Sequence, residues 1–334
     1  MGPASVNATR LAALSALSNL SALSALSALS ALSALSALSA LSALSALSVT
    51  SALLLLTFTA PARAQLTAAK DGPIVYGHHH LTVSDLEVAR KFWVDTLGGA
   101  SLTIAATPLF RLPNVLIFMN QRPPTGGSKG TTVNHIGFQV PNIRAMVDKV
   151  RAAGYPVVTH AELSQPYEVK DDLAFIPDQN TYVAFVMAPD ENKVEFIENK
   201  TMTGSIALHH IHFAAPDVGE MRAWYVKVFG ATPGRRGSLE AADLPGVNLT
   251  FSPAAGPVVG TRGRAVDHIG FEIRNLETFC QDLEARGIKV DRGYTKVPAL
   301  GIAVAFLTDP WGTYIELTEG LDKFQYGLPV ACLS

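Results

Sequence analysis

The feature that most constrains the fold of this chain is a pattern that occurs four times. In each copy a histidine opens an apolar run, an Asp or Asn follows seven residues later, and a glycine comes twelve or thirteen residues after that. The four sets are His78, Asp85 and Gly98; His135, Asn142 and Gly154; His210, Asp217 and Gly230; and His268, Asn275 and Gly287. Because Asp and Asn are natural helix N-caps and glycine commonly follows a helix end, each copy predicts a strand followed by a helix.

The four copies fall into two similar pairs. The first resembles the third, since Arg90 and the two aromatic residues that end at Trp93 match Arg222 and the pair that ends at Tyr225. The second resembles the fourth, with Asn134-His135-Ile136-Gly137-Phe138 against Asp267-His268-Ile269-Gly270-Phe271. About three further short apolar runs follow each helix, so each copy predicts a βαβββ unit of an α+β fold. The chain is therefore predicted to be a duplicated two-unit domain.

Stretches rich in Gly, Pro and polar residues separate the predicted units. They are Pro123 to Thr132, Asn199 to Ser205, and Pro253 to Arg264. The breaks place one domain at residues 74–200, a second at 206–320 and a C-terminal tail at 321–334.

The N-terminal region, residues 1–64, predicts a targeting segment rather than a folded domain. Residues 11–62 carry no charged side chain, and most of them repeat Ala-Leu-Ser. A three-residue period builds no persistent apolar face on a helix. An apolar run from Ala52 to Ala60 and the small-x-small sequence Ala62-Arg63-Ala64 then predict cleavage before Gln65 and export to the periplasm or the exterior. An uncleaved membrane anchor is the alternative.

Composition excludes some partners and leaves others open. The net charge of −2 gives no electrostatic reason to expect a nucleic acid or an anionic membrane surface as partner. Two cysteines, Cys280 and Cys332, are too few for a disulfide framework, and Cys280 falls on the apolar side of a helix. The expected state is a monomer or a homodimer.

Paired βαβββ units with a histidine on the first strand and a glutamate on a last strand resemble the vicinal oxygen chelate superfamily. That superfamily includes glyoxalase I, methylmalonyl-CoA epimerase, fosfomycin-resistance transferases, bleomycin-binding proteins and extradiol dioxygenases. The resemblance covers residues 74 to about 320. It implies that two units curl into an open half-barrel around a divalent metal ion, which chelates two adjacent oxygens of a small substrate.

The resemblance also implies a set of ligands in each half of the chain. The first half offers His78, His135 and Glu195, and the second half offers His210, His268 and Glu316. Two imidazoles and one carboxylate suit Fe(II), Mn(II), Zn(II) or Ni(II). We expect the second half to bind metal better, because the tight Asp309-Pro310-Trp311-Gly312 turn precedes Glu316.

Some residues of the family pattern are absent. Four-ligand members take a further carboxylate or amide from a strand that here reads Val115-Leu116-Ile117-Phe118-Met119 or Val247-Asn248-Leu249-Thr250-Phe251, and neither offers a carboxylate. We therefore expect no fourth protein ligand. The tyrosine of extradiol dioxygenases is replaced by Phe306. His80 and His212 share the inward strand face with His78 and His210. We interpret both first as polar core residues, and the alternative for either is a general base or a partner that orients a ligand.

These observations favour a metal-dependent enzyme with lyase or isomerase chemistry of the glyoxalase kind, for which His212 is the candidate base. Two alternatives stay open: a ring-cleaving dioxygenase of the extradiol kind, and a bleomycin-resistance-like module that binds a small molecule without chemistry.

Overall fold

Three of the repeated units fold as βαβββ modules, as the repeat predicts, and the second unit has an additional short helix and an additional two-residue strand. The fold is taken from a computed structural model, which describes residues 71–104, 106–163 and 166–323. The predicted segment 1–64, Cys332 and the tail from residue 324 lie outside the described residues. Among the described residues, no helix is long and apolar enough to cross a membrane.

The first two modules contain nine strands and three helices, and the first helix continues as a π-helix, Lys91–Thr96. Module 1 comprises β1 Ile74–Val83, α1 Leu86–Arg90, β2 Ala100–Ile104, β3 Thr107–Leu112 and β4 Val115–Gln121. Module 2 comprises β5 Val133–Val140, α2 Ile143–Ala152, α3 Thr159–Glu162, β6 Val169–Lys170, β7 Leu173–Ile176, β8 Thr181–Ala188 and β9 Asn192–Glu198.

The last two modules contain eight strands and two helices. Module 3 comprises β10 Ala207–Ala215, α4 Val218–Phe229, β11 Thr232–Arg236, β12 Leu239–Leu244 and β13 Val247–Pro253. Module 4 comprises β14 Val266–Ile273, α5 Leu276–Ala285, β15 Arg292–Val297, β16 Ile302–Thr308 and β17 Tyr314–Glu319. Single 3₁₀ turns occur at Pro177–Gln179, Pro189–Glu191 and Leu321–Lys323.

Three of the four predicted N-caps form. The side chains of Asp85, Asn142 and Asp217 each accept a hydrogen bond from a backbone N–H in the first helical turn. The Asn275 side chain makes no cap hydrogen bond to α5: its backbone has a φ of 130°, and the Leu276 N–H donates to Glu319. The prediction for Asn275 is therefore wrong.

The modules do not pair in the order in which they follow one another. Sheet A has the strand order β15-β16-β17-β14-β1-β4-β3-β2 and joins modules 4 and 1. Sheet B has the order β11-β12-β13-β10-β5-β9-β8-β7-β6 and joins modules 3 and 2. The junctions are the antiparallel pairs β1–β14 and β10–β5. Each half-barrel therefore takes one module from each of the segments 74–200 and 206–320, which corrects the expectation that each segment would build its own half-barrel.

The largest apolar core joins residues of both sheets and of the helices, and two smaller apolar clusters lie apart from it. Aromatic contacts join elements of different sheets: the Trp93 ring, from module 1, lies 5.8 Å from Phe138 of β5, and Phe229 of α4 stacks on Phe271 of β14 at 4.5 Å. Cys280 is buried in the same core, as its helical position predicts. The described residues accordingly belong to one compact unit.

A glycine lies at each sheet junction because a histidine of the neighbouring strand occupies the space of a side chain. His78 of β1 pairs with Gly270 of β14, and His210 of β10 pairs with Gly137 of β5. A Cβ atom on Gly270 would lie 2.0 Å from His78 Cε1, and one on Gly137 would lie 1.9 Å from His210 Cε1. The glycine of the repeated His-Ile-Gly-Phe sequence thus lets an imidazole cross the neighbouring strand.

Candidate metal centres

Two groups of metal-competent side chains lie on the sheets, one on each. Cluster A consists of His78, His80, His268 and Glu316, and cluster B consists of His135, His210, His212 and Glu195. In each cluster one ligand atom per residue lies within 4.8 Å of all the others.

In cluster A three imidazoles converge on one carboxylate oxygen. Oε2 of Glu316 lies 3.0 Å from Nε2 of His78, 3.0 Å from Nε2 of His268 and 3.3 Å from Nε2 of His80. A metal ion about 2.1 Å from each ligand separates neighbouring ligand atoms by about 3.0 Å in an octahedral and about 3.4 Å in a tetrahedral arrangement. The donor types and their spacing therefore fit a divalent transition metal.

In the metal-free protein, the charge states of Glu316 and His80 in cluster A favour the binding of a cation. Burial alone would raise the pKa of the Glu316 carboxyl, but the surrounding imidazoles of His78 and His268 hold that pKa well below its usual range. Burial lowers the pKa of His80 well below its ordinary value, so this imidazole is neutral at neutral pH. The Nδ1 atoms of His78 and His80 are buried without a hydrogen-bond partner in the described part of the chain.

A carboxylate outside cluster A orients one of its imidazoles. Nδ1 of His268 lies 2.6 Å from Oδ1 of Asp267 and donates to it, which leaves Nε2 directed at Glu316. Although burial opposes it, hydrogen bonds to Asp267 and Glu316 raise the pKa of His268. The carboxylate–histidine pair fixes the tautomer that a metal ligand needs.

Cluster B has the same residue types but a different geometry. Oε2 of Glu195 lies 2.7 Å from Nε2 of His135 and 3.1 Å from Nε2 of His210. Nε2 of His212, however, makes a hydrogen bond of 2.6 Å with Oγ of Ser252. Two imidazole Nε2 atoms, rather than three, therefore face the carboxylate.

An arginine also enters cluster B. Nη2 of Arg236, at the end of β11, lies 3.8 Å from Oε2 of Glu195, and its side chain is 10% exposed. Although burial opposes charge on Glu195, the Arg236 guanidinium and the neighbouring His210 hold the pKa of its carboxyl well below the usual range. A protein cation thus lies beside the carboxylate that a metal ion in cluster B would bind.

The predicted ligands are all in the two clusters, but in different sets from those expected. His78 joins His268 and Glu316, whereas His135 and Glu195 join His210. The expected sets, His78 with His135 and Glu195 and His210 with His268 and Glu316, are wrong because the modules pair as 1 with 4 and 2 with 3. For the same reason His212 lies on sheet B, away from His268 and Glu316.

The expectation of no fourth protein ligand stays a prediction, but the structure adds one further histidine to each cluster. His80 and His212 lie two residues after a ligand on the same strand, and each brings a fourth donor atom to its cluster. Strand alternation predicts this shared inward face, but it does not show that the two side chains reach the clusters. The neighbouring positions on β4 and β13 hold Phe118 and Thr250, which offer no carboxylate.

Sequence comparison decides the family. A model of the Glyoxalase/Bleomycin resistance protein/Dioxygenase superfamily matches residues 75–196 and again residues 207–317. The chain belongs to this superfamily. The two matches confirm the duplication of the chain.

Curated members of the superfamily resemble parts of the chain. Lactoylglutathione lyase of Haemophilus influenzae is 29% identical over 138 residues, which cover 37% of this chain and 92% of the lyase. Mitochondrial methylmalonyl-CoA epimerase of Bos taurus is 29% identical over 133 residues, which cover 34% of this chain and 73% of the epimerase.

Among solved structures, glyoxalase I from Zea mays is similar over most of the chain. The TM-score is 0.56 at 16% identity, and the match covers 75% of this chain and 94% of the maize protein. At this identity the likeness supports the fold alone.

Proposed function

We propose that the chain is a metal-dependent enzyme that acts on a small molecule with two adjacent oxygens, by lyase or isomerase chemistry at cluster A. The observation that carries this proposal is the convergence of three imidazole Nε2 atoms on Oε2 of Glu316 at 3.0–3.3 Å. The chain's similarity to a lyase and an epimerase supports the reaction class.

Three residues of cluster A are assigned as ligands of a divalent Fe, Mn, Zn or Ni ion. His78, His268 and Glu316 have the shorter contacts, and Asp267 orients His268. When bound, such an ion polarises the two substrate oxygens and stabilises the negative charge that develops on them. Three protein ligands leave positions for both oxygens.

His80 is assigned as the base. It has the longest contact to Glu316, and its side chain, 17% exposed, is the most accessible of the four. A neutral imidazole accepts a proton from the carbon next to the substrate oxygens and returns a proton at the neighbouring atom. Phe118 stacks on the His80 ring at 4.7 Å and holds its plane. The base expected at His212 is therefore placed instead at the corresponding residue of the other sheet.

A substitution of His80 tests the proposed role. His80→Gln should retain the metal and lower the rate of exchange of the substrate C–H with solvent by about 10²- to 10⁴-fold. The assay is NMR in D₂O over a panel of small 2-hydroxy and 2-oxo compounds. Loss of the metal from His80→Gln would instead make His80 a ligand and remove it as the base.

Oxygen consumption separates the proposal from its runner-up. An Fe(II)-loaded sample should take up no O₂ over a panel of catechols. Catechol-dependent uptake that disappears in Glu316→Ala would replace lyase or isomerase chemistry with ring cleavage. A metal-free protein that binds small molecules without turnover would favour the non-catalytic module.

Export of the mature chain is part of the proposal and rests on the sequence alone. Ala62-Arg63-Ala64 supports cleavage before Gln65. N-terminal sequencing of the protein from its native host should find Gln65 as the first residue. Recovery of the Ala-Leu-Ser tract in the membrane fraction would favour the anchor.

A further inference from the structure

We infer that cluster B is a carboxylate-binding site in which Arg236 takes the place of a metal ion. The inference concerns sheet B and is independent of the reaction proposed for cluster A. Its basis is a difference between two hairpins that have the same construction.

The position of Arg236 has a direct counterpart in the other sheet. The β2–β3 hairpin ends its first strand with Ile104, which pairs with Thr107. The β11–β12 hairpin ends its first strand with Arg236, which pairs with Leu239. The first strand of each hairpin has five residues, and in each hairpin two residues lie between the paired residues that close the turn. Ile104 packs in an apolar cluster with Phe118, beside cluster A, whereas Arg236 brings a charge to the same place beside cluster B.

The Arg236 guanidinium is a largely buried cation whose contacts are all at or beyond 3.4 Å. Nη1 lies 3.4 Å from Nδ1 of His210, and Nη2 lies 3.5 Å from Nδ1 of His212. Among the described residues, Glu195 is its only carboxylate neighbour, at 3.8 Å, and Nε is buried without a hydrogen-bond partner. Burial of a charge is costly unless acceptors are close, and Glu195 is beyond hydrogen-bond distance, so the guanidinium keeps donor groups with which to bind a further anion.

The same guanidinium disfavours a metal ion in cluster B. A divalent ion would have to bind Glu195 beside a fixed positive charge, and the two cations would repel in a site shielded from water. His212 also directs Nε2 at Ser252 rather than at Glu195. The donor set therefore does not fit a metal ion in the way that cluster A does.

The space beside Arg236 can hold a small ligand. A cavity of about 430 Å³ is lined by the polar residues Arg236, His212 and Ser252 and also by the apolar residues Phe185 and Ile176. Two lysines also line it, but both are already paired with Glu162 at 2.7 Å. The planar fork of one arginine matches one carboxylate group, and the apolar wall suits an aromatic or aliphatic body. The chemical class is a small apolar monocarboxylate.

Metal content is the first test. Wild-type protein saturated with Mn(II), Zn(II) or Ni(II) and then desalted should hold one equivalent by mass spectrometry, whereas Arg236→Ile, which copies the residue of sheet A, should hold two. Arg235→Ile is the matched control, because Arg235 is exposed and pairs with Glu240 at the surface. Two equivalents in the wild-type protein, one of which is lost in His135→Ala, would overturn the inference.

Ligand binding is the second test, with benzoate as the probe and benzamide as its neutral counterpart. Calorimetry should show benzoate binding that weakens at least tenfold in both Arg236→Ile and Arg236→Gln and is unchanged in Arg235→Ile. Benzamide should bind at least tenfold more weakly than benzoate. Unchanged benzoate affinity in the Arg236 variants would overturn the inference.

A third experiment distinguishes benzoate binding at cluster B from benzoate binding at cluster A. Benzoate could also bind a metal ion at cluster A, so the titration is repeated with His268→Ala. Retained affinity places the carboxylate at cluster B, whereas lost affinity places it at cluster A and overturns the inference. A failure of the metal assignment at cluster A would leave the result at Arg236 interpretable, because the benzoate arms do not depend on it.

Discussion

Adding a single methyl group at Gly270 should release the metal without unfolding the protein. A Cβ at this position would lie 2.0 Å from Cε1 and 2.2 Å from Nε2 of His78. Because such contacts do not fall below about 3 Å, the imidazole must move by at least about 1 Å. A ligand displaced this far should weaken metal binding by about 10- to 100-fold or more, since even residues that only orient a ligand have effects of that size. Overpacking should cost about 1–3 kcal/mol of stability.

The matched control is the same substitution at the other sheet junction. Gly137→Ala would place a Cβ 1.9 Å from Cε1 of His210 and should cost a similar amount of stability. Metal content by mass spectrometry and the thermal midpoint by circular dichroism are measured on both variants. We expect both midpoints to fall and only Gly270→Ala to lose metal. Equal metal loss in the two variants, or full retention in Gly270→Ala, would refute the reasoning.

Two further predictions concern pH and the N-terminus. The metal-free protein should lose stability as the pH falls from 7 to 4.5: burial lowers the pKa of His79 to about 3 and of His135 to about 4. Below pH 6.5 the unfolded chain therefore binds more protons than the folded chain, and the free energy of unfolding falls by about 1.4 kcal/mol per pH unit for each such histidine. Urea midpoints that do not change with pH would contradict this prediction. A chain that begins at Gln65 should bind metal and melt like the full chain, because the Ala-Leu-Ser repeat builds no apolar stripe with which to pack; aggregation or metal loss in the shorter chain alone would count against this.

The repeat was sufficient to predict the modules, and with the family resemblance it pointed to six residues that the structure gathers into two clusters, but it did not predict the pairing of the modules. Strand β1 pairs with β14, which contains Asp-His-Ile-Gly-Phe. Strand β5 contains the nearly identical sequence Asn-His-Ile-Gly-Phe and could have been the partner instead. Either strand offers a glycine opposite an imidazole, so no local pattern distinguishes them. The choice depends on how the helices and connectors pack in three dimensions, which a pattern along the chain does not report.

Arg236 was missed for a different reason. Its strand reads Thr-Pro-Gly-Arg-Arg, and proline and glycine are unfavourable in strands, so no strand was predicted there. The signal was present in the duplication itself, because the same place in the first module holds Ile104. Asn275 shows the opposite failure: the residue type fits a cap, but a backbone φ of 130° prevents it.

The central claim is that cluster A holds the metal, and the most direct test compares two single substitutions. Bound metal is measured by mass spectrometry in His268→Ala and His135→Ala, each purified in parallel with the wild-type protein. Because His268 is a proposed ligand on sheet A and His135 lies on sheet B, His268→Ala should retain almost no metal and His135→Ala should retain the wild-type amount. Equal losses in the two variants, or the reverse order, would contradict the account.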